Sequence, residues 1–230
     1  MNQIKIKPSI TVVDKNGIYH IVDHEGRIKT YKPWLGDILS FLYDGIMKKS
    51  VFPKKFNASI DRHYEILNRE FRDINHKTII ELACGSGSAV NFLNRDNDYT
   101  GVDISPGLLR IANRKFARSG FVNHEFYVAD ACDLPFQDHH FDIGICNLSL
   151  NFFPDTKRFV SELERVLKPD AVFYGCIPIP ERKKAEVTIR GVLHTAEELK
   201  TIFQSHRFIF EFLPHENGAL LYFKTVLKQG

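Results

Sequence analysis

Apolar residues change their spacing several times along the chain, and each change marks an element. Residues 4 to 31 alternate in short runs, ITVVD and IYHIVD, separated by Lys15-Asn16-Gly17 and followed by His24-Glu25-Gly26. Short alternating runs around turn residues predict an N-terminal β-hairpin, assigned to residues 1–32. From Pro33 the spacing becomes helical: LGDILSFLYDGIMKK places Leu35, Ile38, Leu39, Leu42, Ile46 and Met47 on one stripe, with Pro53 as the expected stop. SIDRHYEILNREF does the same with Ile60, Tyr64, Leu67 and Phe71. Together these form a helical segment, residues 33–76.

Beyond residue 77 strands and helices alternate. KTIIELA, YTGVD, EFYVAD, FDIGICNL and AVFYGCIPI read as strands, and SAVNFLNR, PGLLRIANRKFARSG and DTKRFVSELERVLK as the helices between them. Short connections between such units favour an open, mostly parallel sheet with helices on both faces. The end differs: TAEELKTIFQSH is a helix capped by Thr195, and RFIFEFL and ALLYFKTVL flank His215-Glu216-Asn217-Gly218 as an antiparallel hairpin. The fold class is therefore α/β, with residues 77–230 as the core. Glu162, Arg165 and Lys168 read as a solvated helix face near a helix C-terminus.

Composition narrows the function classes. With 230 residues, 43% hydrophobic and 26% charged, the chain can bury a full core and is neither disordered nor fibrous. MNQIKIKP lacks the apolar run of a signal peptide, so a cytoplasmic location is expected. FDIGICNLSLNFF, interrupted by Asp142, Asn147 and Asn151, falls short of the ~20 apolar residues of a membrane span. Four cysteines without a C-x-x-C pair argue against a zinc ribbon or dithiol site; no metal is expected. The net charge of +3 comes from residues 1–76, which hold 13 Lys and Arg against 9 Asp and Glu. Lys48, Lys49, Lys54 and Lys55 suit an anionic partner, but such a run is usually a solvated face, and nucleic acid is disfavoured.

Candidate chemistry begins at IIELACGSGSAV, residues 79–90. In open parallel sheets a ligand sits beyond the carboxyl ends of the strands. There Gly85 and Gly87 permit close backbone approach and supply amides at the start of a helix. Asp103 follows 18 positions after Gly85, at the end of the second core strand, where a carboxylate accepts from a ribose diol. Asp130 ends the third. A dinucleotide would bring its pyrophosphate to the loop, and a carboxylate such as Glu81 about 4 Å away would oppose it by roughly 4 kcal/mol at an effective dielectric of 20. Val90 also stands where the dinucleotide fingerprint has its third glycine, and no G-x-x-x-x-G-K-[ST] stretch exists for a triphosphate. S-adenosylmethionine presents a sulfonium and an ammonium, which an acidic rim suits.

IIELACGSGSAV, YTGVDISPGLL, VADACDLPFQDHHFD and the helix ending ERVLKPD resemble the successive motifs of class I S-adenosylmethionine-dependent methyltransferases. Within that Rossmann-like superfamily they are most similar to the small-molecule branch of ubiquinone and menaquinone biosynthesis C-methyltransferases, the methyltransferase domain 11 group, over about residues 60 to 180. The resemblance implies that Glu81, Ala83, Cys84, Gly85 and Gly87 surround the methionine part of the cofactor. It further implies that Asp103 binds the ribose, Ile104 lies against the adenine, Asp130 and the Ala131 amide meet the adenine edge, and Asn147 and Leu148 face the sulfonium. Ala83 departs from the family's first glycine, and Asp170-Ala171 from its Gly-Gly. The first is expected to narrow the pocket slightly, the second to bear on folding.

Methyl transfer needs alignment and water exclusion more than acid–base groups. A base is not identified: His63, Tyr64, Tyr43, His194 and Asn151 qualify by position alone, and a packing or surface role is the expectation for each. Phe41, Tyr43, Phe52, Phe56, Phe152 and Phe153 are expected to line an apolar acceptor site, with Tyr43, Phe56, Asn151 and Phe152 as substrate contacts. Ordinary core is the competing account, since the chain has 19 Phe. The expected acceptor is a small, planar or lipophilic molecule. An RNA or protein methyltransferase, a non-catalytic S-adenosylmethionine binder and an oxidoreductase remain as alternatives.

Overall fold

The computed structural model describes residues 6–31, 43–184 and 186–229. The helix expected before residue 43, and with it Phe41 and the side chain of Tyr43, lies outside them. Among the described residues nine strands form one sheet: β1 (Thr11–Asp14), β2 (Tyr19–Val22), β3 (Thr78–Leu82), β4 (Asp98–Asp103), β5 (His124–Val128), β6 (Phe141–Asn147), β7 (Leu167–Pro178), β8 (Phe208–Phe212) and β9 (Leu220–Leu227). Their spatial order is β1-β2-β5-β4-β3-β6-β7-β9-β8. β5, β4, β3, β6 and β7 run parallel, and β9 slots antiparallel between β7 and β8. The C-terminal hairpin therefore extends the parallel sheet, and the fold is the Rossmann-like α/β arrangement expected. The N-terminal hairpin joins the opposite edge, where β2 runs parallel to β5 and Tyr19 stacks on Tyr127 at 4.8 Å.

Helices cover both faces because alternate residues of the central strands face opposite ways. Ile80 and Leu82 of β3 pack with Phe159 and Leu163 of α3 (Thr156–Val166) and Leu199 and Phe203 of α4 (Ala196–Gln204). Ile79 packs on the other face with Phe71 of α1 (Ile60–Phe71) and Leu109 and Phe116 of α2 (Pro106–Ser119). Sequence-local caps set the helix starts: the side chains of Ser59, Ser105, Asp155 and Thr195 each accept from the backbone N–H three residues on. A third cluster joins Phe52, Phe56 and Ile66 to Leu213, Leu220 and Tyr222, binding the N-terminal helical segment to the C-terminal hairpin.

Four local expectations are corrected. SAVNFLNR forms only a 3₁₀ turn, Ser88–Asn91. Downstream, Asn94 and Asn97 turn their amides to the Ile74 carbonyl, offering the chain partners other than a helix. Pro53 does not stop its helix; the chain widens into a π-helix, Met47–Phe56, and ends at Asn57 in the left-handed region. The helix before Pro169 ends at Val166 and β7 starts directly at Leu167, because the residue before a proline avoids helical angles. Asp170, at φ 63°, occupies a left-handed position that explains the glycine expected there.

The fourth correction is larger. Glu162 and Arg165 do not form a solvated face. The Arg165 guanidinium pairs with both Glu162 oxygens at 2.8 Å, donates to the Phe136 carbonyl at 2.7 Å and to the Leu134 carbonyl at 3.2 Å, and meets Asp138. Glu162 also accepts from the Leu134 N–H at 2.8 Å. Lys168 lies in β7 and pairs with Asp142, which accepts two further hydrogen bonds from Thr78. Burial pushes both carboxyls up, but Arg165 at Glu162 and Lys168 at Asp142, with the hydrogen bonds named, outweigh it and hold both below their ordinary values of 4.5 and 3.8. A depressed carboxyl stabilises the fold above its unfolded value and loses that contribution as pH falls through the folded one. Arg165→Met is expected to cost about 2–3 kcal/mol in urea unfolding at pH 7. It should also flatten the loss of stability below pH 4.5; an unchanged acid limb would dismiss the clamp.

Candidate active site at the ends of four neighbouring strands

The carboxyl ends of β5, β4, β3 and β6 lie side by side, and the strand order reverses between β3 and β6. Glu81 sits one residue before the end of β3, on the Ile79 face, only 2% exposed. Its carboxylate accepts from the Tyr99 hydroxyl. Burial raises its pKa to about 7; Tyr99 opposes the shift and Asp103 adds to it. Asp103 closes β4, 8% exposed. One of its oxygens accepts from the Gly85 N–H at 2.9 Å and the other from the Ser105 N–H at 2.9 Å. Ile104 follows Asp103 at 41% exposed, an apolar side chain in the open directly beside a buried carboxylate.

The glycine loop is shaped by contact with α2. Gly87 has φ 75°, and a methyl group added there would stand 2.8 Å from the Ala112 side chain. The glycine expected for close approach to a ligand is thus also required by close packing on a helix. Ala83 holds φ 55°. The departure from glycine at this position acts through backbone strain of about 1–2 kcal/mol. Cys84 turns its thiol into the core among Tyr99 and Phe126, and burial raises its pKa far out of the reactive range.

Asp130 lies two residues past the end of β5, where it caps the Cys132 N–H at 2.9 Å; Ala131 beside it is buried. On the other side Ser149 reaches to within 3.5 Å of the Ala83 carbonyl, so the turn after β6 adjoins the glycine loop. Leu148 holds φ 62°, a strained angle for a bulky side chain. Asn147 has its Nδ2 3.2 Å from His63 Nε2, while its Oδ1 is buried without a partner. The His63 Nδ1 lies 2.8 Å from the Tyr222 hydroxyl, and burial lowers the imidazole pKa to about 4, so it is neutral near pH 7.

Other residues singled out from the sequence stand elsewhere. His194 meets Thr156 at 2.9 Å at the start of α3. Asn151 is buried, tying its Nδ2 to the Arg190 carbonyl at 2.7 Å. Phe52 and Phe56 are buried in the third cluster, Phe153 stacks on Phe159, and Phe152 is 52% exposed. Three contacts had no signal in the sequence. Asp44 accepts from the Ser86 hydroxyl at 2.6 Å and pairs with Lys115; the Tyr31 hydroxyl accepts from the Asp130 N–H at 3.2 Å; Tyr222 belongs to the His63 chain.

Residues 80–175, which include β6 and most of this site, match the family described as a methyltransferase domain. Residues 80–175 carry a methyltransferase domain. Over 104 residues it is 30% identical to the phthiotriol/phenolphthiotriol dimycocerosates methyltransferase of Mycobacterium tuberculosis, covering 44% of this chain and 37% of that one. Over a similar 104 residues it is 33% identical to the fatty-acid O-methyltransferase of Mycolicibacterium smegmatis, with the same shares of the two chains. The match thus spans little more than a third of these relatives' length. Solved structures agree on the fold. A methyltransferase from Aquifex aeolicus superposes with a TM-score of 0.63 at 15% identity over 82% of this chain and 97% of that one. The [4+2]-cyclase SpnF gives 0.67 at 17% over 85% and 94%. The cofactor that goes with this domain is S-adenosylmethionine.

Within the methyltransferase domain, a buried acid with a raised pKa stabilises the fold below its unfolded value and loses that contribution as pH rises through the folded one. Glu81→Gln is therefore expected to remove a loss of stability between pH 4.5 and about 7 in the free protein, read from chemical unfolding at pH 5 and pH 8. Equal pH dependence in both proteins would contradict the burial account. Ala83→Gly is expected to leave stability unchanged or raise it by up to about 1 kcal/mol, since relief of the left-handed angle offsets the freer unfolded chain. Ala112→Gly within α2 should instead cost about 1 kcal/mol or more in the same urea titration.

Proposed function

We propose that the protein transfers the methyl group of S-adenosylmethionine to a small lipophilic acceptor. The observation that carries the reading is the buried Asp103 carboxylate at the tip of β4, which fastens the glycine loop through the Gly85 N–H, with the exposed Ile104 directly beside it. These residues fit a nucleoside: Asp103 holds the ribose hydroxyls, Ile104 covers the adenine, and Asp130 with the Ala131 amide meets its edge. The methionine portion lies along Ala83 to Gly87, over Glu81. A buried acid that is half protonated near pH 7 is a weak host for phosphate and a good one for a cation, because a neighbouring positive charge favours its ionised form.

When bound, the cofactor supplies a methyl carbon already activated by positive sulfur. The chain's own part is to orient and to exclude water, a contribution that well-aligned sites make worth about 7–11 kcal/mol. Asn147 and Leu148 border the place where sulfur and acceptor meet; the unpartnered Asn147 Oδ1 is an acceptor fixed there by His63. The neutral His63 stays bound to Asn147 and Tyr222, as a support for that amide. Lipophilic acceptors are supported by the dimycocerosates and fatty acids for which the Mycobacterium tuberculosis and Mycolicibacterium smegmatis relatives are named, and by exposed Phe152 at the turn that follows. A quinone precursor, suggested by the motifs, belongs to the same chemical class.

Asp103→Ala is expected to weaken S-adenosylmethionine binding by about 1.5–3 kcal/mol in calorimetric titration, the scale of hydrogen bonds to a charged group; unchanged affinity removes Asp103 from the site. Below pH 7 Glu81 is protonated in the free protein, so binding a cation should release a proton, and affinity should climb with pH up to about 7 and then level. Titration in buffers of different ionisation enthalpy reads that proton directly, and Glu81→Gln should abolish it. The acceptor class is tested by incubating protein, methyl-labelled cofactor and a lipid extract: label confined to polar products would overturn it.

A further inference from the structure

We propose that the face built by the π-helix Met47–Phe56 and the loop residues 181–184 and 186–192 docks on an anionic lipid bilayer. Two segments far apart in sequence meet there: the Lys55 ammonium donates to the Thr188 carbonyl at 3.2 Å. The loop then reaches the turn after β6, which adjoins the glycine loop through Ser149; there Asn151 donates to the Arg190 carbonyl and accepts from the Val192 N–H at 2.8 Å. Lys48, Lys49, Lys54, Lys55, Lys184 and Arg190 are all exposed on these two segments. None of the six is held in an ion pair among the described residues.

Among the described residues the nearby acids do not neutralise them. Asp44 is taken by Lys115 and Ser86, Glu181 caps the Ala196 N–H, and between residues 182 and 192 only Glu186 remains. Set among these cations are apolar side chains in the open: Ile46, Phe152 and Val192, the last 51% exposed. Cations around exposed apolar groups suit the boundary of headgroups and acyl chains, where the first meet anionic lipid and the second enter the hydrocarbon edge. A nucleic acid would use the cations and leave the apolar groups in water. The same loop borders the turn after β6 that adjoins the glycine loop, so a lipophilic acceptor would pass from the bilayer to the site without crossing water.

The purpose assigned to this face rests on the lipophilic acceptor proposed above, but its test needs neither acceptor nor cofactor. The full chain is floated with vesicles of phosphatidylcholine alone and with vesicles containing about one-third phosphatidylglycerol. Partition onto the anionic vesicles should be at least about tenfold stronger and should collapse in high salt. Lys54→Glu with Lys55→Glu should lower it by more than about tenfold, at roughly fivefold for each lysine charge lost. These variants should leave S-adenosylmethionine affinity by calorimetry unchanged, which certifies the fold. Ile46→Ser with Val192→Ser should lower partition at constant charge. Equal binding to neutral vesicles, or full binding by the lysine variant, overturns the proposal. So does lysine-dependent binding to duplex RNA with none to vesicles. Vesicle binding without methyl transfer to any lipid would count against the acceptor class alone, and transfer without vesicle binding against this face alone.

Discussion

One carboxylate holds the site together. Asp103 takes the Gly85 N–H with one oxygen and the Ser105 N–H with the other, and the Ser105 hydroxyl in turn caps α2. The loop after β3, the tip of β4 and the first turn of α2 are thereby fixed as a unit. Gly87 lets that unit close, since its missing side chain is the space into which Ala112 fits. Any ligand recognised by this loop meets backbone that is already organised, which keeps the entropic cost of binding low.

The second constraint is electrostatic. Glu81 and Asp103 are two buried acids at the ends of adjacent strands, and Glu81 responds by holding its proton up to about pH 7. Such a pair is a latent host for positive charge, and burial keeps the proton on Glu81, one of the two acids, in the free protein below about pH 7. The likeness to a [4+2]-cyclase at a TM-score of 0.67 shows why the sheet alone could not decide chemistry: one architecture serves more than one reaction, and the acids at its strand ends carry the functional argument.

Elements appended to the sheet finish the site. The N-terminal helical segment sends Asp44 to Ser86 and Lys115, and the segment after the first hairpin sends Tyr31 to Asp130. From the other end of the chain Tyr222 on β9 supports His63 on α1, which holds Asn147 at the tip of β6. The third apolar cluster, between Phe52 and Leu220, supplies the packing that makes these contacts possible. Among the described residues no helix is long and apolar enough to cross a membrane.

The sequence alone determined what depends on near neighbours. Period and turn residues located the strands and the capped helices, and the spacing of Gly85, Asp103 and Asp130 set the acids at strand ends, because each signal spans only a few residues. Tertiary structure decided the rest. Arg165 looked like one more charge on a helix, yet it holds carbonyls of a loop about 30 positions away. His63 looked like a candidate base, yet Asn147, 84 positions on, and Tyr222 make it a buried, neutral support. Ala83 and Asp170 looked like changes of side chain, but their left-handed angles make them changes of backbone. Partners, burial and pKa depend on which distant residues the sheet brings within a few ångströms, and local spacing carries no record of those distances.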